Sequence, residues 1–278
     1  MSECVLLTGA TGFVGRQVLA ALLDSGAQVR VIVRHGKEAG LADRPGVESV
    51  LTTHDLFAEP ATWWSQALAG VQTVVHCAWY AEPGKYLQSP INLHCLEGTL
   101  RLGLAATQAG VTRFVGIGTC FEYDVDACFL QISTPLRPRS LYASAKAAAF
   151  FNLQQLFLSS EVDFAWCRLF YLYGEGEDPR RLVPYLHQKL RAGELVELTD
   201  GHQIRDYLDV KVAGRQIAEV TLGDHTGPLN ICSNIPTTVR QMCESIADLY
   251  DQRALLRFGA RQPHHTDPPC VVGFKSFN

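Results

Sequence analysis

Tyr142 and Lys146 stand four residues apart in Tyr142-Ala143-Ser144-Ala145-Lys146, a run with no helix breaker, so both side chains fall on one face of one helix. A phenol ordinarily titrates near pH 10. A neighbouring ammonium is expected to pull it toward neutrality, which fits Tyr142 to exchange a proton with a carbonyl or an alcohol. Thr119 closes an apolar, strand-like run, and its hydroxyl is placed to hold the same oxygen. The three together make a site for redox chemistry at a carbonyl carbon.

Such a site needs an electron carrier, and the first strand candidate runs directly into Gly9-Ala10-Thr11-Gly12-Phe13-Val14-Gly15. Glycines at this spacing permit a tight turn and let a pyrophosphate approach free amides at a helix N-terminus, where the helix dipole favours negative charge. Gly9, Thr11, Gly12, Phe13, Val14 and Gly15 are therefore assigned to a dinucleotide. The second strand candidate ends at Val33-Arg34-His35, where a binder of the unphosphorylated dinucleotide would place an acid on the ribose. Arg34 instead offers a guanidinium to a 2′-phosphate, so NADP(H) is favoured and NAD(H) remains an alternative. Asp55 and Leu56 follow the third strand, with Asp55 either facing the adenine amine or capping its own loop. Ala78 follows the fourth. Trp79 and Tyr80, next in sequence, belong to a sugar pocket or pack beside the nicotinamide.

The elements that must position these residues alternate in type. Strand candidates at Cys4 to Thr8, Gln28 to Val33, Val47 to Thr52, Thr73 to Cys77, Arg113 to Gly118 and Asp163 to Arg168 are separated by helical patterns at Phe13 to Ser25, Pro60 to Ala69, Ile91 to Ala109 and Tyr142 to Ser160. Continuous apolar strands between helices predict an α/β, Rossmann-type, doubly wound parallel sheet with ligands at its C-terminal edge. After Arg168 the pattern loosens into a Gly, Glu, Asp and Pro segment, a helix over Leu182 to Ala192, a polar loop from Thr199 to Asp206, a helix over Thr238 to Asp251, and a Pro-rich tail around Pro263 to Pro269. We read residues 1–170, with a return segment near 207–225, as the dinucleotide-binding domain, and 171–206 with 226–278 as a smaller substrate-binding lobe.

Composition narrows the partners. Hydrophobic residues at 47% against charged residues at 19% give a folded chain, and a formal charge of −4 with no basic run argues against nucleic acid. An anionic ligand must then be held by local amides and arginines. The nine cysteines are odd in number, lack any Cys-x-x-Cys and sit in apolar runs, so they are expected to be reduced core thiols. No metal site, leader or membrane span is expected, which points to the cytoplasm.

At this point the sequence resembles the extended short-chain dehydrogenase/reductases, in particular their NAD(P)-dependent nucleotide-sugar epimerases, dehydratases and reductases. The resemblance rests on Thr8 to Gly15, Thr119 to Tyr123, the Tyr142/Lys146 pair, Tyr173-Gly174 and Gln203-Ile204-Arg205-Asp206-Tyr207-Leu208-Asp209-Val210. It implies a sheet of about seven strands, Tyr142 as acid/base, Lys146 on the nicotinamide ribose, Thr119 positioning substrate, and Arg205 on the substrate's diphosphate. Asn92 matches an asparagine that is structural in such proteins. Arg180 and Arg261 are further substrate candidates. The resemblance also implies a homodimer built on the two long helices.

Within that group the residues after Thr119 divide the chemistries. The 4,6-dehydratases place Asp and then Glu there, as acid and base; here those slots hold Cys120 and Phe121. Reductases that also epimerise, resembling GDP-fucose synthase, carry a cysteine at the second slot, which is again Phe121. Cys120 is a proton donor or, more simply, a core thiol lining the substrate. The resemblance therefore implies an NAD(P)H-dependent reductase of a CDP- or dTDP-linked 4-keto-6-deoxyhexose. The alternatives are a UDP-hexose 4-epimerase with tightly held NAD and, in another class, a non-catalytic dinucleotide sensor.

Overall fold

A computed structural model describes residues 3–262 and 267–275. In chain order the strands are β1 (Cys4–Thr8), β2 (Gln28–Arg34), β3 (Val47–Thr53), β4 (Thr73–His76), β5 (Arg113–Thr119), β6 (Phe129–Leu130), β7 (Asp163–Leu169), β8 (Tyr171–Tyr173), β9 (Val196–Glu197), β10 (Ile204–Asp209), β11 (Gly227–Ile231), β12 (Pro236–Thr238), β13 (Leu256–Arg257) and β14 (Cys270–Gly273). The helices are α1 (Gly15–Asp24), α2 (Ala61–Ala67), α3 (Ile91–Gln108), α4 (Leu141–Ser159), α5 (Leu182–Arg191), α6 (Val210–Leu222) and α7 (Val239–Asp248).

Seven strands form one parallel sheet in the order β11-β7-β5-β4-β1-β2-β3, the expected Rossmann-type α/β fold. Every residue of β1, β4 and β5 is buried, as both-face coverage by helices requires. On one face Val18, Leu19 and Leu22 of α1 meet Ala213 and Ile217 of α6 over Val5, Leu7 and Val75. On the other, Trp64 of α2, Leu102 of α3 and Phe150, Leu153 and Phe157 of α4 cover Leu6, Val74 and Phe114. From β1 the chain steps outward to β2 and β3, then returns to β4 on β1's other side. The loops after β1 and β4 therefore splay apart, the place where doubly wound sheets bind ligands. The sixth predicted strand is β7. The seventh, β11, was not foreseen: Gly227–Ile231 lies in the stretch read as substrate lobe but pairs with β7 at the sheet edge.

A second sheet runs β12-β10-β14-β6, with β8 added to β10, beside a small cluster in which α5 and α7 pack Leu186 and Leu190 against Cys243 and Ile246. It corrects one expectation. The polar loop read over Thr199 to Asp206 gives way at Ile204 to strand β10, because Arg205 and Asp206, both buried, each find a polar partner across the lobe. The tail read as Pro-rich lies partly outside the described residues. The nine cysteines are unpaired, seven of them buried. Among the described residues no helix is long and apolar enough to cross a membrane, and no cluster could hold a metal ion.

Candidate active site

The glycine loop is shaped by steric necessity. Gly9 has φ +73, and a Cβ there would lie 2.8 Å from the Ala78 amide nitrogen; a Cβ on Gly15 would lie 2.1 Å from the Gly9 carbonyl oxygen. The Gly12 amide donates to that same carbonyl at 2.9 Å, closing the turn. Val14 precedes α1 with no side-chain cap, so the first-turn amides have no side chain competing for an anion. Thr8 Oγ1 accepts from the Ala78 amide at 3.2 Å and bonds His76 Nδ1 at 2.8 Å, tying β1 to β4 where they diverge. The cradle thus fits a dinucleotide pyrophosphate. Thr11 and Phe13 lie in the same turn; Arg34 is exposed at the end of β2. Asp55 is a cap: Oδ1 accepts from the Phe57 amide at 3.0 Å and Oδ2 meets His94 Nε2 at 2.7 Å, while Leu56 is buried in the core.

Thr119 and Tyr142 come together at the C-terminal end of β5. The Thr119 hydroxyl faces the phenol closely enough to ease its ionisation, and Tyr86 meets the phenol edge-on with ring centroids 4.8 Å apart. Lys146 lies on the expected face of α4 but turns elsewhere: Nζ donates to the Ile117 carbonyl at 2.7 Å and sits 3.8 Å from the centre of the Trp79 ring. The expectation of a phenol lowered by its lysine is therefore corrected. Burial, followed by Tyr86, drives Tyr142 well above its ordinary range, and Lys146 is not among the groups acting on it. Burial also brings the Lys146 ammonium down to about 7. A cation without water sheds its proton more readily, and an acid without water keeps its own.

Beneath the pair lies a polar network that the reading of the sequence missed. Glu122, fully buried, accepts from the Thr119 amide at 2.7 Å, from Trp166 Nε1 at 3.1 Å and from Arg168 Nε at 2.7 Å. Arg168 also donates to the Tyr123 hydroxyl at 3.1 Å, and that hydroxyl donates to Asn230 Oδ1 at 2.8 Å. Thr119 is thereby fixed by its backbone as well as its strand. The signal was present: a glutamate and an arginine within otherwise apolar runs need each other if both are buried.

The substrate-side candidates separate. Trp79 covers Lys146 and donates Nε1 to Asn92 Oδ1 at 2.9 Å; Asn92 in turn holds the Tyr86 and Ser89 carbonyls, the structural role expected of it. Tyr80 donates to Glu82 at 3.1 Å. Cys120 is buried beside Thr119, and burial drives its thiol far up. Arg205, expected in a free loop, is buried on β10 and bonded to Asp267 at 2.7 Å. Arg180 is engaged by Asp178 through two bonds of 2.9 Å, and Arg261 by the Tyr185 hydroxyl at 2.9 Å. A residue that sequence reasoning missed, Tyr171, brings its ring edge-on to Phe121 with centroids 6.0 Å apart. A cavity of about 680 Å³ adjoins this region between Tyr173–Glu177 and α5.

The model of the NAD dependent epimerase/dehydratase family matches residues 5–231. A dTDP-6-deoxy-L-talose 4-dehydrogenase (NAD(+)) of Aggregatibacter actinomycetemcomitans is 24% identical over 98% of this chain and 99% of its own length. A dTDP-glucose 4,6-dehydratase of Streptomyces griseus is 28% identical over 82% of this chain and 72% of its own. Among solved structures, the UDP-N-acetylglucosamine 4-epimerase of Methanobrevibacter ruminantium M1, in complex with UDP-N-acetylmuramic acid, shares the fold with a TM-score of 0.87. It is 20% identical, covering 99% of this chain and 91% of that one.

Proposed function

We propose, from the premise that this chain belongs to the NAD dependent epimerase/dehydratase family, that it reduces a CDP- or dTDP-linked 4-keto-6-deoxyhexose at C4. It is an enzyme of the extended short-chain dehydrogenase/reductase type. The observation that carries the finer reading is the pair of slots after Thr119. Phe121 has no proton to give, and the Cys120 thiol, pushed up by burial, holds its proton against any base of ordinary strength. An elimination, or an epimerisation by removal of a proton from carbon, needs an acid and base there; a hydride transfer at C4 does not. The relative that matches from end to end is named as a 4-dehydrogenase of a dTDP-6-deoxysugar, and the reverse of such an oxidation is a 4-keto reduction.

In this reading Tyr142 donates its proton to the C4 oxygen while Thr119 holds that oxygen. The phenol's raised pKa suits this direction, since the acid is fully protonated at neutral pH. Lys146 holds the nicotinamide ribose. The dinucleotide, when bound, supplies the hydride. Gly9, Thr11, Gly12, Phe13, Val14, Gly15 and Ala78 would cradle it, and Arg34 would favour the 2′-phosphorylated form. Trp79, Tyr80 and Arg205 would face the nucleotide sugar. We keep residues 1–170 with 207–225 as the cofactor domain, to which the sheet adds β11 (Gly227–Ile231), and take the rest as the substrate lobe. Exposed Leu93, Leu104, Phe151 and Leu158 on α3 and α4 support a homodimer through these helices. We place the enzyme in the cytoplasm.

The test is oxidation of NADPH by purified protein with CDP- and dTDP-4-keto-6-deoxyhexoses. Wild type should turn over, and Tyr142→Phe should not, while its cofactor affinity stays nearly intact. Turnover of the variant within tenfold of wild type would remove Tyr142 from the mechanism. The second reading, a UDP-hexose 4-epimerase, uses the same three residues and is favoured by the likeness in fold to a 4-epimerase. It predicts NAD that stays with the protein until denaturation, and no net oxidation of added NADPH.

A further inference from the structure

Arg205 is a buried cation with one exchangeable counter-charge. Its side chain is 3% exposed; Nη1 donates to the Ile204 carbonyl at 2.9 Å and Nη2 to Asp267 Oδ1 at 2.7 Å. The neighbouring acid cannot serve it. Asp206 accepts from the Ser233 amide and hydroxyl, the Asn234 amide and the Gly273 amide, so its carboxylate is fully engaged. Asp267 is different, with a side chain 41% exposed. A carboxylate half in water gains little from one ion pair and loses little by leaving it. The guanidinium, by contrast, cannot be left buried without an anion. The position demands a negative charge but not that of Asp267 in particular.

An independent observation lies directly beneath. The Arg205 guanidinium stands 5.1 Å over the Tyr171 ring, and the Tyr171 hydroxyl is buried with no hydrogen-bond partner. An orphan of this kind is costly, and it needs an explanation beyond folding. Tyr171 follows two residues after Leu169, which pairs with Thr119, and its ring touches Phe121. The unmet donor therefore lies on the substrate side of Thr119, next to the only buried cation there whose counter-ion is half exposed among the described residues.

We propose that Asp267 is a built-in stand-in for the substrate's diphosphate: its carboxylate occupies Arg205 until a nucleoside diphosphate displaces it and takes both the guanidinium and the Tyr171 hydroxyl. The proposal rests on the nucleotide-sugar reading above. The exchange replaces one anion by another, so the Arg205 charge stays compensated throughout and no covalent bond is touched. A diphosphate offers the guanidinium two oxygens where Asp267 supplies one, and a charge-assisted bidentate contact is the stronger. The affinity of the site for nucleotide is lowered by the fraction of time Asp267 holds Arg205. Asp267 thus sets a threshold that favours diphosphates over weaker anions such as carboxylates.

Calorimetric titration of the purified full chain with dTDP, CDP and UDP tests this without requiring turnover. Asp267→Asn should bind its preferred nucleoside diphosphate roughly two- to fivefold more tightly than wild type, the scale of one exposed ion pair. A pair that serves folding alone predicts the opposite, a lower melting temperature with unchanged or weaker binding. That result overturns the proposal, as does an Asp267→Asn protein that binds none of the three. Tyr171→Phe should bind several-fold more weakly while melting at the same or a higher temperature, because an unpartnered buried hydroxyl has been removed. Equal binding by Tyr171→Phe would show that the hydroxyl takes no part. The two readings fail separately. If Asp267→Asn tightens binding but no 4-keto sugar nucleotide is reduced, the exchange stands and the reductase falls.

Discussion

At the dinucleotide end of the site the machinery is backbone, whereas at the substrate end it is side chains that already hold partners. Gly9 and Gly15 bring carbonyls and amides within distances that no Cβ would allow, and nothing beyond the seven residues Gly9–Gly15 and Ala78 is needed to define the turn. Across the site, Arg205 holds Asp267, sixty-two positions away, and Arg261 holds Tyr185, seventy-six positions away. A backbone cradle is specified locally and is ready before any ligand arrives. A side-chain clamp is specified by whichever distant group reaches it, and its ligand must compete.

The difference explains what was legible in the sequence. Predicted and observed strands agree within one residue for β1 to β5 and β7, since buried parallel strands announce themselves as apolar runs. The Thr119–Tyr142 pairing was legible too, because one residue ends a strand and the other begins a helix at the same sheet edge. Strand β10 was not, since Arg205-Asp206 reads as surface unless Asp267 and the Ser233–Asn234 amides are known to meet it. Nor was the inversion at Tyr142: spacing put Lys146 on the right face, but only the fold shows its ammonium drawn to the Ile117 carbonyl and the Trp79 ring.

The comparison breaks most severely at Gly15. Alanine there would set a methyl 2.1 Å from the Gly9 carbonyl oxygen, a backbone atom that cannot rotate away. Dinucleotide binding should be abolished, as measured by titration of cofactor fluorescence, while dTDP still binds the other end. Retained cofactor affinity in Gly15→Ala would mean that the cradle is not built by close approach. Next in size is Glu122→Gln, which leaves the fully buried Arg168 without its counter-charge and should cost about 3–5 kcal/mol in denaturant unfolding. A loss under about 1 kcal/mol, the scale of an exposed pair, would show that the network does not hold Thr119 by charge.

A smaller effect sharpens the contrast between buried and exposed charge. Lys146 titrates at about 7 in the folded chain against an ordinary 10.5. Below the lower value both folded and unfolded chains carry the proton, and the burial penalty is paid in full. Between the two values the unfolded chain holds a proton that the folded chain has lost, so stability rises with pH. Urea midpoints for wild type should climb only between about pH 7 and pH 8, because above that the thiols that burial pushes up, Cys77, Cys120, Cys167, Cys232 and Cys243 among them, ionise in the unfolded chain alone and turn the trend downward. Lys146→Met should flatten that climb; an unchanged slope would assign it to another group.

The smallest effect is expected where the cofactor end does rely on a side chain. Arg34 is exposed at the end of β2, beyond the glycine loop. If the backbone cradle supplies most of the affinity, removing this guanidinium should leave NADH binding almost untouched. NADPH carries a 2′-phosphate that the cradle does not address, and a charge-assisted contact to it is worth about 1.5–3 kcal/mol. Arg34→Ala should therefore weaken NADPH by roughly ten- to a hundredfold, the lower part of that range applying because the site is open to water and screened by salt. Raising ionic strength on the wild-type protein should erode the same difference. Equal losses for the two cofactors would mean that Arg34 shapes the pocket instead of reading the phosphate. No preference in the wild type would leave NAD(H) as the working carrier, in keeping with the NAD(+) named for the 4-dehydrogenase relative.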